Sequence, residues 1–127
     1  MNNEVMFSKK TDQWSTPKEL YNEYISMGAF DPCPMDYVDD GLVINWKPLT
    51  YVNPPYSNIK GFMLKALEEI EKGHTHLAIF LVPARVDTKW FQELVYGKHA
   101  YKFIKGRLKF GDSKNSAPFP SMLIYLT

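Results

Sequence analysis

The longest apolar run in the chain covers residues 77–83 and, with His76 before it, is almost unbroken over 76–82. It shows no alternation of apolar and polar positions, so it predicts a strand buried on both faces, as in a parallel sheet covered by helices. The run is far too short to cross a bilayer, and no membrane partner is expected. Whatever forms around it must therefore supply helices to two faces of a sheet.

The flanking sequence predicts such helices. Thr16-Pro17-Lys18-Glu19 reads as a helix start: Thr16 as cap, Pro17 at the first helical position, Glu19 in the first turn. This helix is expected to run to about Met27 and to stop at Gly28. A short apolar stretch, Ala29-Phe30, follows and ends at Asp31-Pro32-Cys33-Pro34, where two prolines stop any strand. Residues 35–48 look irregular, with an acidic turn at Asp39-Asp40-Gly41. Residues 49–52 predict a short strand. Ser57 or Asn58 is then expected to cap a helix whose apolar face carries Ile59, Phe62, Met63, Ala66, Leu67 and Ile70, with Gly73 closing it.

After the apolar run, Asp87 is expected to cap a third helix that sends Trp90, Phe91, Leu94 and Val95 to the core. Residues 101–104, 108–110 and 121–126 predict strands, with a turn at Lys105-Gly106-Arg107. Strand–helix alternation followed by several strands predicts an α/β fold, an open sheet of parallel strands with antiparallel C-terminal strands. The length suits one domain over residues 1–127. In open α/β sheets ligands sit beyond the C-terminal strand ends. That places Asp31-Pro32, Asn53-Pro54-Pro55-Tyr56 and Pro83-Ala84-Arg85 on one rim.

Asn53-Pro54-Pro55-Tyr56 is the most informative tetrapeptide. Its prolines hold the backbone stiff and donate no hydrogen bond, so carbonyls are left to face a cavity. The Asn53 side-chain oxygen and the following carbonyl make two fixed acceptors, which is what a planar exocyclic amine requires. Tyr56 offers a flat face to an unstacked base, a contact worth ~1–3 kcal/mol. A stiff turn with Asn53 ahead of a helix is the structural alternative.

Composition narrows the class further. Apolar residues make up 45% and charged residues 23%, a globular balance that excludes a largely disordered chain. A single cysteine excludes a disulfide framework and a Cys-rich zinc site. His74 and His76 have ligand-like spacing, but no acidic or sulfur partner is assigned to them and no metal site is expected. The polar, acidic N-terminus shows no signal peptide, so a cytoplasmic location is the expectation. Residues 1–73 hold 7 Lys/Arg against 11 Asp/Glu, and residues 74–127 hold 8 against 3. The basic half points weakly towards a polyanion, the alternative being solvated edge-strand lysines.

The chain resembles the phage DNA N-6-adenine-methyltransferase family, S-adenosylmethionine-dependent enzymes that carry an Asn-Pro-Pro-Tyr motif. The resemblance rests on Gln13-Trp14-Ser15-Thr16-Pro17, Phe30-Asp31-Pro32-Cys33, Asp40-Gly41-Leu42 with Trp46, and Asn53-Pro54-Pro55-Tyr56-Ser57. It continues through Val82-Pro83-Ala84-Arg85 with Asp87-Thr88-Lys89-Trp90, Gly106-Arg107-Leu108-Lys109-Phe110-Gly111, and Ala117-Pro118-Phe119-Pro120-Ser121. These pieces keep the family's order over about residues 13–126. The resemblance implies a compact Rossmann-like methyltransferase sheet and methyl transfer from S-adenosylmethionine to the N6 amino group of adenine in DNA. Asn53 and the Pro54 carbonyl, stiffened by Pro55, would hold the amine, and Tyr56 would stack on the base. Trp14, Ser15, Thr16 and Pro17 match the N-terminal cofactor motif, and Thr16 at a helix start would receive the methionine carboxylate. Asp31, with Pro32, matches the acidic strand end that contacts the methionine portion. Asp39 or Asp40 would bind the ribose hydroxyls, unless Asp39-Asp40-Gly41 is a solvated turn.

In this reading Lys98, Lys102, Lys105, Arg107 and Lys109 meet phosphates. Arg85 touches DNA or cofactor, or pairs with Asp87. Trp14 is the better exposed aromatic candidate, and Cys33 is expected to be buried packing, not a nucleophile. The pattern departs from the wider methyltransferases in two ways. No Gly-rich loop follows Asp31, and only 21 residues separate Asp31 from Asn53, so the region between the cofactor and catalytic motifs is abbreviated. There is no room for a separate recognition domain, which leaves sequence preference to short loops, a homodimer or a partner chain. Two alternatives stand beside DNA adenine: another planar amine (an RNA base or a glutamine amide), or a weak or inactive methyltransferase-like binding module.

Overall fold

The computed structural model describes residues 17–34, 40–108 and 118–127. Its elements are α1 (Lys18–Ser26), β1 (Leu49–Val52), α2 (Ile59–Glu71), β2 (Leu77–Pro83), β3 (Ala100–Phe103) and β4 (Ser121–Leu126). A 3-10 turn, Tyr56–Asn58, leads into α2, and a widened π-type turn, Phe91–Val95, lies between β2 and β3. The strands form one mixed sheet in the order β1-β2-β4-β3. β1 and β2 are parallel, whereas β4 runs antiparallel to both of its neighbours. Phe30 adds a parallel bridge to Thr50 on the outer side of β1. The fold is thus mixed α/β, with a sheet that is only partly parallel. No helix of the described residues is long and apolar enough to cross a membrane.

The apolar run becomes β2, a central strand buried from Ala78 to Pro83. Successive side chains alternate between sheet faces. Phe80 and Val82 join Val52, Phe62, Met63 and Ile124 in the core under α2. Ile79 and Leu81 join Tyr24, Tyr51 and Leu123 in the core under α1. Tyr24 and Tyr51 stack with ring centroids 4.6 Å apart, which fixes α1 on the sheet. The expected α2 face is the one used: Ile59, Phe62, Met63 and Ala66 are buried, with Leu67 and Ile70 packed against the same core. Gly28 and Gly73 end the two helices with φ of +82° and +83°, a left-handed conformation that glycine adopts without a Cβ penalty.

Several expectations need correction. Asp87 does not hold the N-cap of the third helical segment: Trp90 stands there without a side-chain cap hydrogen bond, and upstream of it the Thr88 Oγ1 accepts the Phe91 N–H at 3.4 Å. That segment is a π-type turn over Phe91–Val95, not a regular α-helix, and it still buries Phe91 and Val95. Asn58 holds the N-cap of α2 without a side-chain cap hydrogen bond. β3 covers Ala100–Phe103, one residue earlier than expected, and Ile104 is outside the strand although its N–H still bonds the Ser121 carbonyl at 3.0 Å. Leu108 lies in no strand, and the rest of the strand expected at 108–110 falls outside the described residues.

Candidate active site

Phe30, β1 and β2 run in one direction, so the chain leaves all three at the same sheet edge. β4 enters at that edge, because Ser121 pairs with Pro83 and the Ala84 N–H bonds the Pro120 carbonyl at 2.9 Å. The expected rim therefore forms, and Phe119-Pro120 joins it from the C-terminal part of the chain.

Asn53 is 4% exposed at the end of β1. Its own carbonyl accepts the Cys33 thiol at 3.0 Å. Pro54 is buried and Pro55 half-buried in extended backbone, and the Pro55 carbonyl accepts the Asn58 N–H that opens the 3-10 turn. Tyr56 is half-buried and meets Phe119 edge-on, centroids 5.4 Å apart. Its hydroxyl is buried and finds no hydrogen-bond partner among the described residues, as is also true of Ser121 Oγ. Burial pushes the Tyr56 phenol well up, against a smaller opposing pull from the Arg85 charge. Tyr56 therefore stays neutral, and Arg85 stands exposed within electrostatic reach of it.

On the other side of Asn53, Asp31 is half-buried and its Oδ1 accepts the Cys33 N–H at 3.0 Å. Desolvation outweighs that hydrogen bond and raises its carboxyl to about 6. Among the described residues no Lys or Arg forms an ion pair with it. A desolvated carboxylate of this kind gains from a bound cation. Burial, reinforced by the Asp31 charge and partly opposed by the Asn53 backbone, pushes the Cys33 thiol far up. Cys33 is thus a protonated hydrogen-bond donor in the core.

The remaining site expectations divide clearly. Pro32 is buried, and its carbonyl lies so close to Gly41 that a Cβ there would collide with it. Asp40 is exposed, and its Oδ1 accepts the Leu42 N–H at 2.9 Å, so one of its carboxylate oxygens is used in a local turn. Trp46 donates its indole N–H to the Gly41 carbonyl at 2.8 Å, so Gly41 and Trp46 have structural work in this loop. Pro17 is buried and itself holds the N-cap of α1, the place expected of Thr16, so it is not the first helical residue. Trp14, Ser15, Thr16, Asp39 and Lys109 lie outside the described residues. Lys102 and Lys105 line an open cavity of about 520 Å³ between α1 and β3, where Glu19 and Glu23 also sit. Arg107 is exposed, and Lys98 donates to the Glu93 carbonyl at 2.6 Å.

Sequence reasoning assigned no role to Phe119 and none beyond packing to Cys33. The signals were the Pro-Phe-Pro and Pro-Cys-Pro settings of these residues, which mark stiff backbone but not its partners. His74, left without an acidic partner, bonds Glu69 through Nδ1 at 3.2 Å.

No curated protein and no solved structure matches the chain significantly. The family model described as DNA N-6-adenine-methyltransferase (Dam) matches residues 4–123, which takes in every motif gathered on this rim. The chain belongs to the DNA N-6-adenine-methyltransferase (Dam) family.

Proposed function

We propose that the protein, acting as one domain over residues 1–127, transfers a methyl group from S-adenosylmethionine to the N6 amino group of adenine in DNA. The observation that carries this reading is the convergence at one sheet edge of the Asn53-Pro54-Pro55-Tyr56 turn and the desolvated Asp31 carboxylate, joined through Cys33. The donor set fits the cofactor: Asp31 suits the cationic methionine end, with Trp14, Ser15, Thr16 and Pro17 assigned to the rest of that end. When bound, S-adenosylmethionine supplies the electrophilic methyl group.

The protein's own residues hold the acceptor. The Asn53 side-chain oxygen and the Pro54 carbonyl each accept one N–H of the adenine amine, which concentrates electron density on its nitrogen. Neutral Tyr56 stacks on the base, which has to leave its own stack at a cost of a few kcal/mol. Arg85, Arg107, Lys102, Lys105 and Lys109 are assigned to phosphates. Sequence recognition falls to short loops or to a partner chain, a second copy of this chain included. Such an enzyme works where its DNA is, in the cytoplasm of a cell without a nucleus, or of the host if the chain is phage-encoded.

The burial of Pro32 and the local use of Asp40 favour a second reading, a catalytically weak methyltransferase-like module. Incubation with S-adenosylmethionine and unmethylated DNA, followed by nucleoside mass spectrometry, separates the two. N6-methyldeoxyadenosine that disappears in a folded Asn53→Ala variant is the expected result. No modified base, together with no calorimetric binding of the cofactor, refutes the enzyme reading.

A further inference from the structure

Cys33 is 3% exposed and sits between Pro32 and Pro34, so it carries the single backbone N–H of that three-residue run. Both of its donors are used, in opposite directions. Its N–H goes to the Asp31 carboxylate at 3.0 Å, and its thiol goes to the Asn53 carbonyl at 3.0 Å. One residue therefore spans the gap between the proposed cofactor-side carboxylate and the proposed amine-holding turn.

We propose that Cys33 is a positioning residue for methyl transfer, its S–H fixing the Asn53 carbonyl and so setting the aim of the Asn53 side chain and the Pro54 carbonyl. The physical route is short. The Asn53–Pro54 peptide is planar, so a held Asn53 oxygen fixes the Asn53 backbone at ψ. The pyrrolidine ring fixes the next φ near −65° in any proline, so little freedom is left before the Pro54 carbonyl. A thiol kept protonated by burial holds this donor role across the working pH range. The inference rests on the methyltransferase reading.

The test compares Cys33→Ala, which removes the donor, with Cys33→Ser, which keeps one. Cys33→Ala is expected to lower kcat by about tenfold, within the hundredfold that a misplacement of about 1 Å can cost, and to leave KM near wild type. Cys33→Ser is expected to recover most of that loss. A second readout needs no turnover and no variant. Cys33 is the only cysteine in the chain, so the S–H stretching band in the infrared belongs to it alone. The band is expected to be shifted down and broadened, as for a thiol bonded to a carbonyl. A band at the position of a non-bonded thiol overturns the proposal even if both variants fail to fold. Wild-type kcat in a folded Cys33→Ala variant also overturns it, as does a folded serine variant no better than alanine. An inactive wild-type chain refutes the methyltransferase reading instead, and the positioning role with it, while the band still reports the bond.

Discussion

Asp31 shows how far the fold changes a side chain that is ordinary in the sequence. Desolvation raises its carboxyl to about 6, above the usual aspartate value. A raised carboxyl favours the folded state when protonated, so its contribution to stability is fully present at low pH and is lost as pH rises through about 6. A bound cation reverses the preference, because it favours the ionised form. Cofactor affinity is therefore expected to increase as pH rises through about 6, and Asp31→Asn is expected to flatten that rise. Calorimetric titration of both forms over a pH series measures it, and a matching rise in the asparagine variant removes Asp31 from the cofactor site. Asn53 and Tyr56 were legible at this scale because stiff prolines beside an amide and a ring announce themselves locally. Phe119 was not, since its contact with Tyr56 spans 63 positions of chain.

Helix α2 shows what apolar patterning can and cannot report about an element. Its apolar stripe was legible from the 3.6-residue period, but the burial of Lys65 and Glu69 was not. Those two form an i,i+4 pair at 3.6 Å, a spacing that on most helices stays solvated. Here the loop through Trp46 closes over them, and the Trp46 N–H bonds Glu69 Oε1 at 2.5 Å. Burial by itself would raise the Glu69 carboxyl, but the Trp46 amide, His74 and Lys65 together hold it below its ordinary value. Its stabilisation is thus present above the unfolded-state pKa and is lost as pH falls through the lower folded value. Glu69→Ala is expected to cost about 3–5 kcal/mol in urea denaturation, because Lys65 is left buried without its counter-charge. It is also expected to weaken the acid dependence of stability. A loss below about 1 kcal/mol, the scale of an exposed pair, contradicts this account. The third helical segment was legible in its buried face and not in its turn type, since a π-type turn uses the same apolar residues at a different pitch.

Over the whole molecule, the charge division between residues 1–73 and 74–127 is not a division between two surfaces. Lys102 and Lys105 of the basic half share a cavity wall with Glu19 and Glu23 of the acidic half. Arg85 and Arg107 are exposed and do not line that cavity. If DNA binds along the rim, Arg85→Ala and Arg107→Ala are each expected to reduce the slope of log affinity against log salt by about 0.7–0.9. Lys102→Ala is expected to change it less, because nearby carboxylates already offset its charge. Oligonucleotide titrations at several salt concentrations measure these slopes, and equal effects at all three positions would refute the distinction. By itself the sequence determined α1, α2, β1, β2 and β4, and that three polar strand ends would share a rim. Those properties depend on periodicity and proline, which act within a few residues. Only the tertiary structure decided that β4 inserts between β2 and β3, that Phe119 meets Tyr56, that Glu69 is buried, and that Cys33 joins Asp31 to Asn53. Each of these depends on register and packing between segments distant in the chain, and such contacts leave no periodic trace in the residues that make them.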